Sequence, residues 1–318
     1  MYRNVVVLLD GSELAERVLP HVTQVIRDRG SRVHLLSVLP LTKGIAPTVI
    51  DVHLPSVHVE QERAHVEQEL TDYLRTVAGG LESVAADVQT AVRFGRPADE
   101  ILAFVAEVDA DLIAMSTHGR SGITRWVFGS VADRVLRGAT CPVLLVQAAH
   151  AQLEAAYRRV LVPLDGSELA EQVIPYVKAL IRPDRTFPLG EEREAFHVFL
   201  VTVLTTGLAD HTVALMTSYP PGMQLATTAL HQAEVQMRSY LRSVAAVLRE
   251  RGAVVHVAVQ QGAPADEILA YAAQIEADLI SMTTHGFSGP SRWVYGNVAG
   301  KVLQGAHCPV LLVRPEFE

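Results

Sequence analysis

Short apolar runs alternate with segments of helical periodicity along the whole chain. Runs such as VVVLL near the N-terminus have the length of strands, whereas the stretches between them repeat apolar residues every three or four positions. Strands this apolar fit a parallel sheet that helices cover on both faces. In the first half, the pattern predicts strands at 4–9, 32–38, 87–93, 111–116 and 143–146, and helices at 12–29, 58–77, 97–107 and 129–137.

The pattern occurs twice because the sequence is internally repeated. VVVLLDGSELAERVLP, which ends at Pro20, returns as VLVPLDGSELAEQVIP, which ends at Pro175. GRPADEIL from Gly95 returns as GAPADEIL from Gly262. A repeat this long indicates two copies of one structural unit. The sequence therefore predicts an α/β fold with two repeated domains, each an open five-stranded parallel sheet flanked by helices, at 1–147 and 157–318, with a linker at 148–156.

Composition narrows the class of protein. With 318 residues, of which 49% are hydrophobic and 19% charged, each domain can bury a core of its own. The formal net charge of -8, without a block of lysines or arginines, argues against binding to nucleic acid. The chain has two cysteines, no signal-peptide pattern at its N-terminus and no apolar run near the roughly 20 residues of a membrane span. We therefore expect a cytoplasmic protein.

Two local signals follow the first strand. Asp10 ends that strand, and its side chain either caps the first helix, with Glu13 three residues on, or faces a ligand at the sheet edge. The same segment at Asp165 does not decide between these roles, because duplicated domains also duplicate caps. Pro20 and Pro175 lie inside the predicted first helices, where the ring and the missing N–H predict a kink.

A glycine-containing loop follows the fourth strand. The segment STHGRSGITRWVFGSVADRVL begins at Ser116 and brings Gly129 and Ser130 to the start of a helix. Backbone N–H groups and the positive helix end hold phosphate in such loops, and glycine lets the backbone approach the ligand. The alternative is a tight turn that binds nothing.

Several catalytic signatures are missing from the sequence. It has no GxxxxGK[ST] loop, no GxGxxG fingerprint and no HExxH motif. No set of acid, base and nucleophile accompanies the glycine loop, and no histidine spacing indicates a metal site. The residues therefore favour binding without efficient turnover, and no catalytic residue is assigned.

Taken together, the repeated segments resemble the universal stress protein family. The nucleotide loop of that family is Gly-x-x-Gly-x9-Gly followed by Ser or Thr, and its later elements occur here as Gly119, nine residues, then Gly129-Ser130. The DGSE start, the PADEIL helix and the THG loop occur in this order in both halves. The resemblance covers nearly the whole chain and implies the adenine-nucleotide alpha-hydrolase-like fold, with strand order 3-2-1-4-5.

The resemblance implies that ATP is the ligand, with Mg²⁺ or Mn²⁺ held mainly by its phosphates. By position, Asp10 resembles the carboxylate that contacts the nucleoside, Val38 the residue whose backbone meets adenine, and Ser116 a neighbour of the ribose. The implied phosphate cradle and its flanking contacts are Gly119, Gly129, Ser130, Met115, Arg120 and Val131. The corresponding positions of the second half are Pro163, Asp165, Val203, Met282, Thr283, Gly286, Gly296, Asn297 and Val298.

Two departures from the family pattern affect the implied site. Neither half keeps the first motif glycine, because Ser116 and Thr283 replace it and add a Cβ near the ligand. The second half also has Asn297 for the terminal serine, and Phe287 where the first half has Arg120. Since the second half lacks that cation, we expect it to bind nucleotide more weakly.

Three functions are compatible with these observations. The leading hypothesis is an ATP-binding stress-response or signalling protein in which nucleotide occupancy regulates interactions, with at most slow hydrolysis. The alternatives are a scaffold or dimerisation member whose pockets no longer bind nucleotide, and an enzyme acting on a nucleotide or small molecule. Because the last strand of each sheet is an edge that needs cover, we expect the halves to pack as a pseudo-symmetric dimer through 143–146 and 310–313. The resemblance also allows chains to pair as homodimers.

Overall fold

The structure is a computed structural model of the chain, and it forms two compact units, Met1–Ala155 and Ala156–Glu318. The residues that it describes are 2–26, 30–40, 56–117, 129–147, 157–181, 195–205, 220–285 and 296–316. The predicted linker at 148–156 lies outside this set, and so do Gly119, Arg120, Gly286 and Phe287.

The first unit contains one parallel sheet with helices between its strands. Its elements, in chain order, are β1 Asn4–Leu8, α1 Glu13–Glu16, α2 Leu19–Ile26, β2 Arg32–Leu39, α3 Ser56–Leu81, β3 Asp87–Phe94, α4 Pro97–Glu107, β4 Leu112–Ser116, α5 Ser130–Gly138 and β5 Val143–Val146. The described strands lie in the order β3-β2-β1-β4-β5, and each pairs with its neighbours in parallel. The predicted fold class and strand order are therefore confirmed for this unit.

The second unit repeats the arrangement. Its elements are β6 Arg159–Pro163, α6 Glu168–Glu171, α7 Ile174–Leu180, β7 His197–Leu204, α8 Pro220–Arg249, β8 Val254–Gln261, α9 Pro264–Gln274, β9 Leu279–Thr283, α10 Asn297–Gly305 and β10 Val310–Val313. Within this unit the strand order is β8-β7-β6-β9-β10, again with parallel pairing. The same order of elements in both units gives each the same open sheet.

The central strands are buried on both faces. Val5, Val6 and Val7 are consecutive in β1 and all are 0% exposed, which requires cover above and below the sheet. At the edge of the sheet, β3 is half-buried along most of its length. The core therefore lies around the middle strands, as the continuous apolar runs predict. Within the described residues, no helix is long and apolar enough to cross a membrane.

The predicted first helix is wrong in one respect, because it is broken rather than kinked. In the first unit, α1 ends at Glu16 and α2 begins at Leu19, and α6 and α7 are divided in the same way. Pro20 is the second residue of α2, and Pro175 is the second residue of α7. A proline in the first turn of a helix loses no helical hydrogen bond, since the first N–H groups have no partner in the helix. Proline here begins a second helix.

Candidate functional site

The carboxyl ends of three strands in the first unit meet at one cavity. The register pairs Leu8 of β1 with Leu36 of β2, and the Leu9 N–H donates to the Leu36 carbonyl at 2.9 Å. Beyond these ends and the end of β4 lies a cavity of about 360 Å³, a size that suits a small ligand. Its lining includes seven of the residues implied by the family resemblance: Asp10, Val38, Met115, Ser116, Gly129, Ser130 and Val131.

Asp10 lies at the rim of the cavity and shapes the turn that follows β1. Its Oδ1 accepts hydrogen bonds from the Ser12 N–H at 3.1 Å and from the Ser12 hydroxyl at 2.6 Å. Ser12 Oγ in turn accepts from the Ala15 N–H at 3.1 Å, so the N-cap of α1 is Ser12. The prediction of Asp10 as a helix cap is therefore wrong. Gly11 between them has φ 81°, a left-handed conformation that favours glycine.

The second unit forms the same turn. Asp165 Oδ1 accepts from the Ser167 N–H at 3.0 Å and from its hydroxyl at 2.6 Å, and Gly166 has φ 86°. Ser167 caps α6 through the Ala170 N–H. Because the geometry repeats so closely, these bonds serve the turn. A ligand role for Asp10 therefore depends on the cavity that its side chain lines.

Ser116 ends β4 with a buried hydroxyl. Its Oγ is buried and has no hydrogen-bond partner among the described residues, and the residue lines the cavity. A buried polar group without a partner costs about 1–3 kcal/mol. A polar group of a ligand in the cavity would remove that cost. The serine that departs from the family glycine is thus compatible with a ligand here.

The amino end of α5 closes the other side of the cavity. Gly129 is its N-cap with φ -55° and ψ 145°, and Ser130 is its exposed first residue. Gly129 has no side chain to cap this end, and the first N–H groups of a helix have no partner within the helix itself. A Cβ built on Gly129 would meet no atom within 4 Å. Glycine is therefore not needed here for a left-handed backbone, and the space beside it is open to a ligand.

The charges around the cavity give it two different ends. Burial raises the pKa of Tyr73 on α3 well above its usual value, and the negative charges of Glu16 and Asp10 add to the increase. This acidic side disfavours phosphate. The uncapped start of α5 carries the positive end of a helix dipole and favours anions. A nucleotide would therefore place its phosphates at Gly129 and its nucleoside towards Asp10.

In the corresponding region of the second unit, the Thr283 hydroxyl and the Gly296 N–H have partners within the protein. The Thr283 hydroxyl donates to the His285 carbonyl at 2.8 Å, and the Gly296 N–H donates to the Thr284 carbonyl at 2.8 Å. The ring Nδ1 of His285 lies 3.0 Å from the Thr284 hydroxyl. These bonds tie the end of β9 to the start of α10. The remaining described positions lie at the equivalent strand and helix ends: Pro163, Asp165, Val203, Met282, Asn297 and Val298.

The sequence did not identify α4 as part of the site. Pro97 and Ile101 of this helix line the cavity, together with Pro40 after β2. The signal was present in the repeated PADEIL segment, where Gly95 lies so close to the Glu100 side chain that a Cβ would collide with it. Such packing fixes the start of α4 beside the strand ends. No group of three or more histidine, cysteine or acidic side chains placed to hold a metal ion occurs among the described residues.

Comparison with known proteins identifies relatives for each repeat. A universal stress protein of Methanocaldococcus jannaschii is 29% identical over 148 residues, which are 46% of this chain and 83% of that protein. A Staphylococcus aureus relative of the same description is 28% identical over 149 residues, 46% of this chain and 84% of that protein. These relatives correspond in length to one repeat.

Solved structures match the whole chain. A universal stress protein from Archaeoglobus fulgidus aligns over 98% of both chains with a TM-score of 0.64 and 20% identity, and one from Pseudomonas aeruginosa over 99% of this chain and 94% of its own with a TM-score of 0.63 and 16% identity. These likenesses show a shared fold. The model of the universal stress protein family matches residues 1–147 and again residues 156–314. The chain therefore belongs to the universal stress protein family and contains its domain twice.

Proposed function

We propose that this chain is a cytoplasmic ATP-binding regulatory protein whose first repeat holds the nucleotide. The observation that carries the proposal is the cavity at the ends of β1, β2 and β4, which joins an acidic rim at Asp10 to the uncapped start of α5. An adenine nucleotide has the matching polarity, since its nucleoside is uncharged and its phosphates are anionic. Nucleotide occupancy would then regulate interactions with partners in a stress response.

The geometry supports a particular orientation of the nucleotide. The segment from Val38 to Pro40 lines the cavity at the end of β2 and offers an apolar wall for a base. Ser116 lies at the end of β4, next to β1 and its Asp10, and presents a hydroxyl where a ribose would lie. The phosphates would meet the first N–H groups of α5 and the Ser130 hydroxyl, with a divalent cation carried mainly by the phosphates themselves.

The lining favours binding over turnover. Among the described residues of the cavity wall, Asp10 is the only one with an ionisable side chain. Efficient hydrolysis needs a base that activates water and a group that stabilises the charge developing on the phosphate. One carboxylate at the nucleoside end supplies neither at the phosphate end. We therefore expect hydrolysis to be slow compared with binding.

The second repeat is proposed to bind nucleotide more weakly than the first. Its Thr283 hydroxyl and its Gly296 N–H already have partners in the protein, so a ligand would have to displace these bonds. The corresponding Ser116 hydroxyl has no such partner in the described part of the first repeat. Competition of this kind reduces affinity by the strength of the bond displaced, about 0.5–1.5 kcal/mol for each.

Isothermal titration of the full chain with ATP, ADP, AMP and cyclic AMP tests the proposal. We expect one tighter site per chain with ATP bound better than AMP, because the start of α5 would contact the added phosphates. Denaturing the purified protein and separating the released small molecules by chromatography would show which nucleotide it carries. If no adenine nucleotide binds at millimolar concentration, the scaffold hypothesis replaces this one. Steady turnover of ATP would instead support an enzyme.

A further inference from the structure

Two histidine rings meet edge to edge on the sheet of the second repeat. His197 of β7 and His256 of β8 place Nδ1 and Nε2 3.1 Å apart, with ring centroids 5.4 Å apart and planes 17° from parallel. The centroids are far apart although the nitrogens touch, so the rings lie almost in one plane and point at each other. One ring therefore donates an N–H to the bare nitrogen of the other.

Aromatic rings and cations surround this pair. Phe199 stacks on His256 at 4.5 Å between centroids, and the edge of Tyr271 from α9 meets Phe199 at 6.4 Å. On α8, Arg249 donates to the Val255 carbonyl beside His256. Burial lowers the pKa of His256, and the charges of His197 and Arg249 lower it further.

Three more charged side chains lie near the pair. Arg159 of β6 is the register partner of His197, and it pairs with Glu276 at 2.6 Å. The Asp278 carboxylate accepts from the Arg159 N–H. The guanidinium of Arg159 is thus already paired with Glu276, whereas Asp278 bonds to its backbone.

We propose that His197 and His256 form a pH-sensitive pair. When both rings carry an added proton, the pairing of β7 with β8 in the second repeat becomes less stable. With one proton or none added, one nitrogen keeps its lone pair and the N–H···N bond survives. With a proton on both rings, both facing nitrogens are donors and both rings are cations. The bond is then lost and replaced by repulsion between two charges at contact distance.

The sign of the pH effect follows from His256. Its pKa in the fold lies below the ordinary value of 6.5. The folded protein therefore binds fewer protons than the unfolded chain as the pH falls through 6.5, so the stabilising contribution is present above that pH and is lost below it. Because β8 pairs only with β7 among the described strands, the loss acts at the edge strand of this repeat, which α8 also covers.

The first repeat has no such pair at the corresponding positions. Arg32 stands where His197 does and pairs with Asp87 at 3.2 Å, and Gln89 stands where His256 does. His34, which corresponds to Phe199, is a single buried ring whose pKa is lowered mainly by burial. Gln89 therefore suggests the substitution that removes the pair with a residue this fold already accepts.

The first test uses the unaltered chain. Nitrogen-15 spectra of the imidazole rings should show scalar coupling across one N–H···N bond near neutral pH and two linked titration steps, the second displaced to lower pH. Two independent titrations without coupling across the bond would overturn the proposal. This measurement depends on no variant.

The second test compares hydrogen exchange of the full chain at about pH 7.5 and about pH 5, after correction for intrinsic rates. Protection of peptides from β7 and β8 should fall about threefold to tenfold more in the natural chain than in His256→Gln, the range expected for one hydrogen bond. His231→Gln is the control, because His231 is an exposed histidine on α8 away from the pair. An equal fall in all three proteins would overturn the proposal.

Discussion

The two repeats share the turn that begins their first helix and differ at the end of their fourth strand. Asp10 and Asp165 accept the same two bonds from the following serine, at nearly the same distances. At the end of β4, the Ser116 hydroxyl has no partner in the described structure, whereas at the end of β9 the Thr283 hydroxyl is bonded to a carbonyl. The two repeats thus share the turn and differ in the hydroxyl at the end of the fourth strand, where we propose that a ligand binds in the first repeat.

This difference separates a turn that serves folding from a hydroxyl that we propose serves binding. The same turn geometry needs a left-handed residue and a side chain that accepts from the following backbone, so both repeats use Asp, Gly and Ser at the same three positions. A hydroxyl that faces a ligand needs no partner within the protein, because the ligand supplies one when it binds. In the described structure, the Ser116 hydroxyl of the first repeat has no partner, which costs free energy, whereas the Thr283 hydroxyl of the second repeat has one. We therefore expect substitutions to affect the two repeats differently, and four experiments test this.

The largest expected effect concerns acid stability of the first repeat. His21 on α2 is 3% exposed, and burial lowers its pKa to about 4, from 6.5. The folded value lies below the unfolded one, so the stabilising contribution is complete above pH 6.5 and is lost as the pH falls towards 4. The loss amounts to about 3 kcal/mol. Urea unfolding across this range should show it, and His21→Gln should flatten the dependence.

The second repeat provides the comparison for His21, because Tyr176 stands at the corresponding position of α7. Hydrogen exchange should therefore show α2 losing protection between pH 6.5 and pH 4 to a greater extent than α7. Equal losses in α2 and α7, or a variant that keeps the full pH dependence, would show that His21 is not responsible.

The next effect concerns the start of α5. Gly129→Val should reduce ATP affinity of the first repeat about 30-fold, because the branched side chain would fill the space where phosphate approaches the helix. The fold should tolerate it at a cost of about 1 kcal/mol, since Gly129 has a negative φ and its Cβ would meet no protein atom. Calorimetric titration measures the first quantity and thermal unfolding the second.

Gly296→Val is the matched control in the second repeat. Gly296 is likewise an N-cap with negative φ, but its N–H already donates to Thr284. We expect its substitution to leave the tighter ATP site unchanged. A folded Gly129→Val protein with natural affinity would mean that phosphate does not bind at α5.

The sequence predicted the sheet well and the helix boundaries less well. Apolar runs and the internal repeat were sufficient for an open five-stranded parallel sheet in both units, whereas the strand order 3-2-1-4-5 came from the family resemblance. The break after Glu16 was missed because the segment has helical periodicity throughout, and only the three-dimensional turn shows Pro20 beginning a new helix. A cap at Asp10 was one of two alternatives because aspartate and serine are both good caps, and only distances separate them.

The candidate site was also predicted only in part. Positions at strand ends could be located, because the carboxyl ends of parallel strands share one edge. The contribution of Pro97 and Ile101 could not, because it depends on how closely α4 approaches the sheet. The state of a hydroxyl, bonded at Thr283 and without a partner among the described residues at Ser116, has no signature in the sequence. The packing of the two repeats against each other stays a prediction.

The third experiment separates the turn role of Asp10 from its ligand role. Asp10→Ala and Asp165→Ala remove the same two bonds to serine, so each should destabilise its repeat by about 1 kcal/mol. Only Asp10→Ala should also reduce ATP binding at limiting nucleotide, by about tenfold. A hydrogen bond to a carboxylate contributes about 1.5 kcal/mol, which corresponds to that change in affinity. A larger loss of bound ATP from Asp165→Ala would reverse the assignment of the tighter site.

The smallest effect is also the most specific. Ser116→Ala should reduce ATP affinity about threefold, the contribution of one neutral hydrogen bond, and should leave the free energy of unfolding unchanged or slightly higher. The stability does not fall because the alanine variant no longer buries a hydroxyl without a partner in the described structure. Titration calorimetry and urea unfolding of the same preparation measure both quantities.

Thr283→Val should give the opposite result in the second repeat. It removes the hydroxyl that donates to the His285 carbonyl, so it should cost about 1 kcal/mol of stability and leave the tighter ATP site unaffected. The pair of variants thus separates a hydroxyl kept for a ligand from one used by the fold. If Ser116→Ala destabilises the protein as much as Thr283→Val and leaves ATP affinity unchanged, both hydroxyls are structural, and the difference between the repeats does not concern binding.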